Sequence, residues 1–119
     1  MTRFGRRNED LPDLMAEAAL ATMTDAGVEH PAALVVAAMN PEEFTGEGNY
    51  GSLLGTRLGL SRVPAIRVET ATSSGAAAVY TAYAAIAAGL HRSILVVGGE
   101  KMSHMATPRA SEIIGRSID

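Results

Sequence analysis

VPAIRVETATSSGAAAVYTAYAAIAAGLHRSILVVGG, residues 63–99, reads as strand, helix, strand. The first strand covers residues 63–69, opening at Val63 and closing at Glu69. Pro64 cannot donate to a ladder, which suits an edge strand or the first residues of a strand. Residues 73–89 are expected to form the longest helix, and "SILVV", residues 93–97, a further strand that stops at Gly98-Gly99. Two strands joined by a helix of this length imply a parallel pair with a right-handed crossover.

Working outward, the same alternation continues. Leu11, Leu14, Met15, Ala18, Ala19 and Met23 share one face at helical spacing. Asn8, Glu9, Asp10 and Asp13 put polar and negative groups at the start of that helix, where its dipole favours them, Pro12 suits the first turn, and Gly27 ends it. Residues 33–39, "ALVVAAM", have the length of a buried strand. Residues 41–50 hold Gly46, Gly48 and Asn49 and read as a loop, followed by a short helix over 51–58 closed by Gly59. The tail from Glu100 is expected to be irregular and then helical from Pro108. The order predicts a mostly parallel sheet with helices on both faces, a three-layer α/β/α arrangement. Ligands of such sheets sit at the carboxyl ends of the strands. Those ends are the Asn40 loop, the turn over 69–74, and residues 98–104.

Composition excludes several function classes. The chain has 119 residues, enough for one domain or part of one, with 47% hydrophobic and 19% charged residues. The formal net charge is -3, and the one basic cluster is Arg3, Arg6 and Arg7. With 4% aromatics there is neither a basic stripe nor a stacking platform, so nucleic acid is not expected as a partner. No cysteine is present, which removes disulfides and thiolate zinc sites. The three histidines show no metal-ligand spacing. The polar start carries no signal-peptide core, and the alanine-rich run over 75–90 falls short of the roughly 20 strongly apolar residues of a membrane span. A cytoplasmic protein without a membrane segment is the expectation.

The helix over 75–89 is apolar nearly all round. Such a helix is buried on every side, and three strands with three helices do not surround it. Another domain or subunit is therefore expected to pack on it, and the isolated chain is expected to be marginally stable or prone to associate.

The segment VETATSSG (residues 68–75), the alanine helix behind it and SILVVGGEKMSH (residues 93–104) together resemble the thiolase superfamily. FGRRNEDL, AAMNPEEFTGEGN and LGLSRVPAIRVE fit the same family in the same order, most closely its sterol-carrier-protein-X type and bacterial acetyl-CoA acetyltransferase relatives. The resemblance covers almost the whole chain. It implies a thiolase-like amino-terminal half-domain over residues 1–119, truncated at both ends: the family's opening strand would precede Thr2, and the second half would follow Asp119. The implied chemistry is acyl transfer with carbon–carbon bond formation or thiolytic cleavage beside a coenzyme A thioester, which enters as substrate with no bound cofactor.

The resemblance also implies site residues. The family's nucleophilic cysteine stands at the turn from strand into helix, where the dipole favours a thiolate and free amides can hold an oxyanion. Thr72 occupies that position here, followed by Ser73 and Ser74. A threonine hydroxyl ionises far less readily than a thiol and needs a strong adjacent base. The alternative role of Thr72, Ser73 and Ser74 is helix capping, a hydroxyl taking up an orphan amide. Ser73, Ser74 and His104 are the candidate substrate-binding residues; no metal ligand is assigned. His30, His91 and the carboxylates Glu42, Glu43 and Glu47 carry no assigned role. Glu69 is expected to anchor a turn by hydrogen bonds. Gly98-Gly99 and Gly46-x-Gly48 are too short for a phosphate loop.

As partners, the resemblance implies acyl-CoA, a homodimer formed through strand 63–69, and a small zinc-binding companion protein. Some family members act as aldolases on acyl-CoA side chains and need no covalent acyl-enzyme, which suits threonine at position 72. A non-catalytic remnant or interaction subunit, and an unrelated small α/β binding domain, are the other readings.

Overall fold

A computed structural model describes residues 1–60 and 62–117. Its elements are α1 (Leu11–Ala26), β1 (Ala33–Ala37), α2 (Pro41–Thr45), α3 (Tyr50–Arg57), β2 (Ala65–Val68), α4 (Ser74–Ala87), β3 (Ile94–Gly98) and α5 (Thr107–Gly115). The three strands form one parallel sheet in the order β2-β1-β3. β2 is an edge strand of this sheet, and Pro64 lies just before its first residue. The last paired residues are Ala37 with Val68 on one side and Ala37 with Gly98 on the other.

Local chemistry explains the first helix. The Asp10 side chain accepts the Asp13 N–H at 2.8 Å, so α1 starts on a true N-cap. It ends at Gly27, whose φ of 62° lets Val28 N–H reach back to Met23 O at 3.0 Å. With 16 residues α1 is longer than α4, which has 14, so the alanine helix is not the longest. The expected loop after β1 also differs, because its first five residues form α2. Pro41 opens that turn, Glu42 and Glu43 complement its dipole, and Thr45 Oγ1 bonds Pro41 O at 2.8 Å and Tyr50 Oη at 2.6 Å. One and a half turns are too few to show a hydrophobic period.

Strand alternation divides the sheet into two faces. Leu34, Val36, Leu95 and Val97 meet Leu11, Met15 and Ala19 of α1 and Tyr50 and Leu54 of α3. Val35 and Ala37 meet Ala78 and Ala82 of α4 on the other face, with Val68, Ile94 and Val96 beside them. β1 is buried along its whole length. Each large side chain so buried contributes roughly 1.5–3 kcal/mol. A third cluster, Met39, Phe44 and Ile113, joins α2 and α5 beyond the carboxyl end of β1. The connections leaving β1 and β2 therefore run over opposite faces, α3 on one and α4 on the other, which opens a crevice at the strands' carboxyl ends.

The alanine helix is not enclosed by this chain. Ser74, Ala78 and Ala82 are buried, while Val79, Tyr80, Tyr83, Ile86 and Leu90 are exposed. Among the described residues, no helix is long and apolar enough to cross a membrane.

Candidate active site

The three strand ends meet around a cleft of about 370 Å³ lined by Met39, Ala71, Thr72, Ser74, Gly75, Gly99 and Glu100, among others. Its floor is the end of β1, where Ala38 and Met39 are buried and Asn40 adopts a left-handed φ of 44°. One wall is the turn from β2 into α4. Ala71 sits there at φ 50°, a conformation disfavoured by roughly 1–2 kcal/mol for a residue with a Cβ. The opposite wall is the glycine end of β3. A Cβ on Gly99, just past β3, would lie 2.8 Å from Met15 Cγ and 3.0 Å from Leu11 Cδ1, so a larger residue there would have to displace those side chains of α1.

Hydrogen bonds lock the 70–74 turn from within. Ser73 Oγ donates to Thr70 O at 2.8 Å and lies 3.0 Å from Thr70 Oγ1. Ser74 Oγ donates to Ala71 O at 2.6 Å and accepts the Thr70 N–H at 2.9 Å, which satisfies a hydroxyl on a buried residue. This corrects the capping expectation for Thr72, Ser73 and Ser74. Ser73 is the N-cap residue, yet its side chain bonds no helix amide. The left-handed Ala71 turns the chain so that both serine hydroxyls point back along the turn. Ser73 N–H and Ser74 N–H close turns onto Thr70 O and Ala71 O, whereas the amides of Gly75 and Ala76 have no partner among the described residues. Thr72 is exposed on the cleft wall, and its hydroxyl makes no hydrogen bond among them.

Two carboxylates replace the ladder where strand pairing ends. Glu69 Oε1 accepts the Asn40 N–H at 2.7 Å, and Glu100 Oε1 accepts the Met39 N–H. Glu69 thus anchors a turn, as expected, but the turn after β1 rather than its own. Arg67 neutralises it, with Nη2 3.0 Å from Glu69 Oε2 and Nη1 2.5 Å from Glu42 Oε1 and 3.0 Å from Gly48 O. Partial burial pushes Glu42 up, but its own backbone amide and Arg67 outweigh this and hold it below the ordinary carboxylate range. Glu100 has no cation within ion-pair distance among the described residues. Its proton is held more tightly than usual, first because the packed carboxyl loses water and then because Glu69 is near, against the opposing Met39 amide. The residue as a whole stays exposed, so solvent moderates this shift.

His104 lies away from the cleft. It is exposed, and its Nε2 is 2.7 Å from the Phe44 carbonyl, which makes that nitrogen the donor. Thr72, Ser74 and Gly75 come together in the cleft; Ser73 supports the turn and His104 ties residues 100–106 to α2. Glu100 is the cleft residue that sequence reasoning left without a role. Its signal was position, directly after the Gly98-Gly99 end of β3. Among the described residues, no group of three or more histidine or acidic side chains is arranged to hold a metal.

Comparison with known proteins matches residues 1–118 to the family described as "Thiolase, N-terminal domain". The chain belongs to the thiolase amino-terminal-domain family. Thiolase-family relatives include an acetyl-CoA acetyltransferase of Methanothermobacter thermautotrophicus, 34% identical over 110 residues, covering 90% of this chain and 29% of that protein. An acetyl-CoA acetyltransferase of Methanocaldococcus jannaschii is 32% identical over 105 residues, covering 86% and 27%. A beta-ketoacyl-[acyl-carrier-protein] synthase III of Fusobacterium nucleatum is 24% identical over 104 residues, covering 87% and 31%. The chain spans less than a third of the length of these curated relatives.

Proposed function

We propose that this chain forms the amino-terminal part of a thiolase-family acyltransferase, making or breaking a carbon–carbon bond beside a coenzyme A thioester. The observation that carries this reading is the Thr72 cleft: a turn locked by its own serines sets an exposed side chain at the amino terminus of α4, beside amides left free to receive an oxyanion. Two acetyl-CoA acetyltransferases among the relatives support the substrate class. Thr72 stands at the nucleophile position, Ser73 and Ser74 shape its turn, and His104 braces the neighbouring segment. The thioester is the substrate and no bound cofactor enters the chemistry. The exposed outer edge of β2, with Ile66 52% exposed, supports dimerisation through residues 63–69. The sterol-carrier-protein-X subtype, a zinc-binding companion and a cytoplasmic setting belong to the same reading.

A second reading follows from threonine at position 72. An aldolase-like cleavage of an acyl-CoA needs a base and a stabilised enolate, not a covalent acyl-enzyme. The two readings separate in the protein translated from the complete reading frame. After incubation with acetyl-CoA, the transferase reading expects an acetyl adduct on the natural protein by intact mass, the aldolase reading expects none, and both expect one on Thr72→Cys, removed by adding coenzyme A. A folded Thr72→Cys protein that never acylates would refute the assignment of position 72. Cleavage of a 3-hydroxyacyl-CoA by the natural protein, without an adduct, would establish the aldolase reading over the transferase.

A further inference from the structure

We propose that Glu69 is a positioning residue: its bond to the Asn40 amide fixes where the side chain at position 72 stands relative to the free amides of α4. This rests on the acyl-thioester reading above and deepens it.

Rigidity of the turn is the first argument. Ser73 Oγ bonds Thr70, and Ser74 Oγ, on a residue 4% exposed, bonds both Ala71 O and Thr70 N–H. Residues 70–74 therefore move as one body, and their attachments decide where Thr72 stands. One attachment is α4, whose Ala78 and Ala82 lie against β1. The other is the end of β2. There the ladder stops at the pair Ala37 and Val68, one residue short of Glu69. The Glu69 carboxylate continues the stitching where the ladder ends, accepting the Asn40 N–H at 2.7 Å.

The firmness of what Glu69 grips is the second argument. The Asn40 carbonyl accepts the amides of Glu43 and Phe44 at 3.0 and 3.2 Å, which opens α2. Its side-chain nitrogen donates to Ser117 Oγ, past the end of α5. Asn40 is thus fixed to α2 and to the segment after α5. The carboxylate is itself oriented by Arg67, whose Nη2 lies 3.0 Å from Oε2 and whose Nη1 is held by Glu42 and Gly48 O. Each Glu69 oxygen has a partner, which suits a residue that places another group rather than one that reacts.

The bond demands a particular reach. Aspartate is one methylene shorter and does not span from the end of β2 to the Asn40 amide unless a strand end moves. Glutamine keeps both the reach and an oxygen for that amide. A reacting group displaced by about 1 Å loses on the order of 100-fold in rate.

The test follows acylation by acetyl-CoA, read as intact mass, in the protein translated from the complete reading frame and carrying Thr72→Cys. The thiol introduced at position 72 attacks the acetyl carbonyl. The bond from that carbonyl to the coenzyme A sulfur breaks, and coenzyme A leaves with the thiol's proton. Adding Glu69→Ala should slow acylation at saturating acetyl-CoA by about 100-fold, with the half-saturating concentration and the melting temperature little changed. Glu69→Gln should keep most of the rate, and Glu69→Asp should lose it. Folded Glu69→Ala acylating at the parent rate overturns the role of Glu69 and leaves the function reading standing. So does Glu69→Gln as slow as Glu69→Ala, or a loss confined to the half-saturating concentration. Folded Thr72→Cys that never acylates defeats both. Should Glu69→Ala not fold, the other two variants decide: equal rates overturn the proposal, and a slower Glu69→Asp supports it.

Discussion

On the α1–α3 face, Leu34, Val36, Leu95 and Val97 are closed over by Leu11, Met15, Ala19, Tyr50 and Leu54, and charges stay at the rim, where Arg57 pairs with Asp10 and Asp13. On the α4 face, β1 meets Ala78 and Ala82, and α4 turns Tyr80 and Tyr83 outward at 72% and 70% exposure, with Val79, Ile86 and Leu90 beside them. Both helix layers pack on one buried strand, but the α4 layer leaves more large apolar side chains uncovered than the α1 layer, where Leu20 is the exposed one. The difference teaches that amphipathic α1 is matched to water on its outer side, whereas α4 is matched to apolar contact on several sides. Small alanine contacts also bury less area per residue than the leucine and methionine contacts opposite.

Cutting into the closed face should have the largest effect. Leu54→Ala should lower stability by roughly 2–5 kcal/mol in urea titrations, since Leu54 is fully buried in the α1–α3 face. A loss below that range would mean that the α1–α3 face is as loose as the other. Ala78→Leu should cost about 1–3 kcal/mol, because the added methylenes press α4 off Val35 and Ala37. A negligible cost would show that α4 shifts freely on the sheet, sharpening the contrast. Replacing Tyr80 and Tyr83 by serine in the 119-residue chain should change stability by no more than about 0.5 kcal/mol each. Light scattering should show less self-association; a large loss of stability would contradict their exposure.

The smallest effect is one of pH. The raised Glu100 carboxyl contributes stability below the ordinary carboxylate pKa and loses it as pH rises through its folded value. Glu112 works in the opposite direction. Arg109 and Arg116 lower its pKa, so its contribution is present above the ordinary value and fades as pH falls. Thermal melts across acid to neutral pH should therefore show Glu100→Gln gaining on the natural chain as pH rises. A constant difference at all pH values would remove Glu100 from the titrating set.

Much of the architecture was legible. The Asp10 and Gly27 signals at the ends of α1 are local and act where they stand in the chain. Strand alternation with helices led to the parallel sheet and to a cleft at its carboxyl ends. Other features were not legible because they depend on distant partners. α2 is too short for a period and is held by Tyr50 and the Ile113 cluster. The serines of the 70–74 turn suit a helix cap by residue type, but the left-handed Ala71 sends their hydroxyls backward. His104 follows β3 in sequence, yet Phe44 holds it away from the cleft.

By itself the sequence determined the alternation of strands with the longer helices, the cap and stop of α1, the family resemblance, and the threonine at position 72, because these follow from residue type and near-neighbour spacing. Only the tertiary structure decided that Glu69 and Glu100 would serve the amides of Asn40 and Met39, that Glu100 would share a cleft with Thr72, and that α4 would leave its tyrosines uncovered. Those outcomes depend on strand order and on which faces meet, and they join residues 29 and 61 positions apart, beyond the reach of any local pattern.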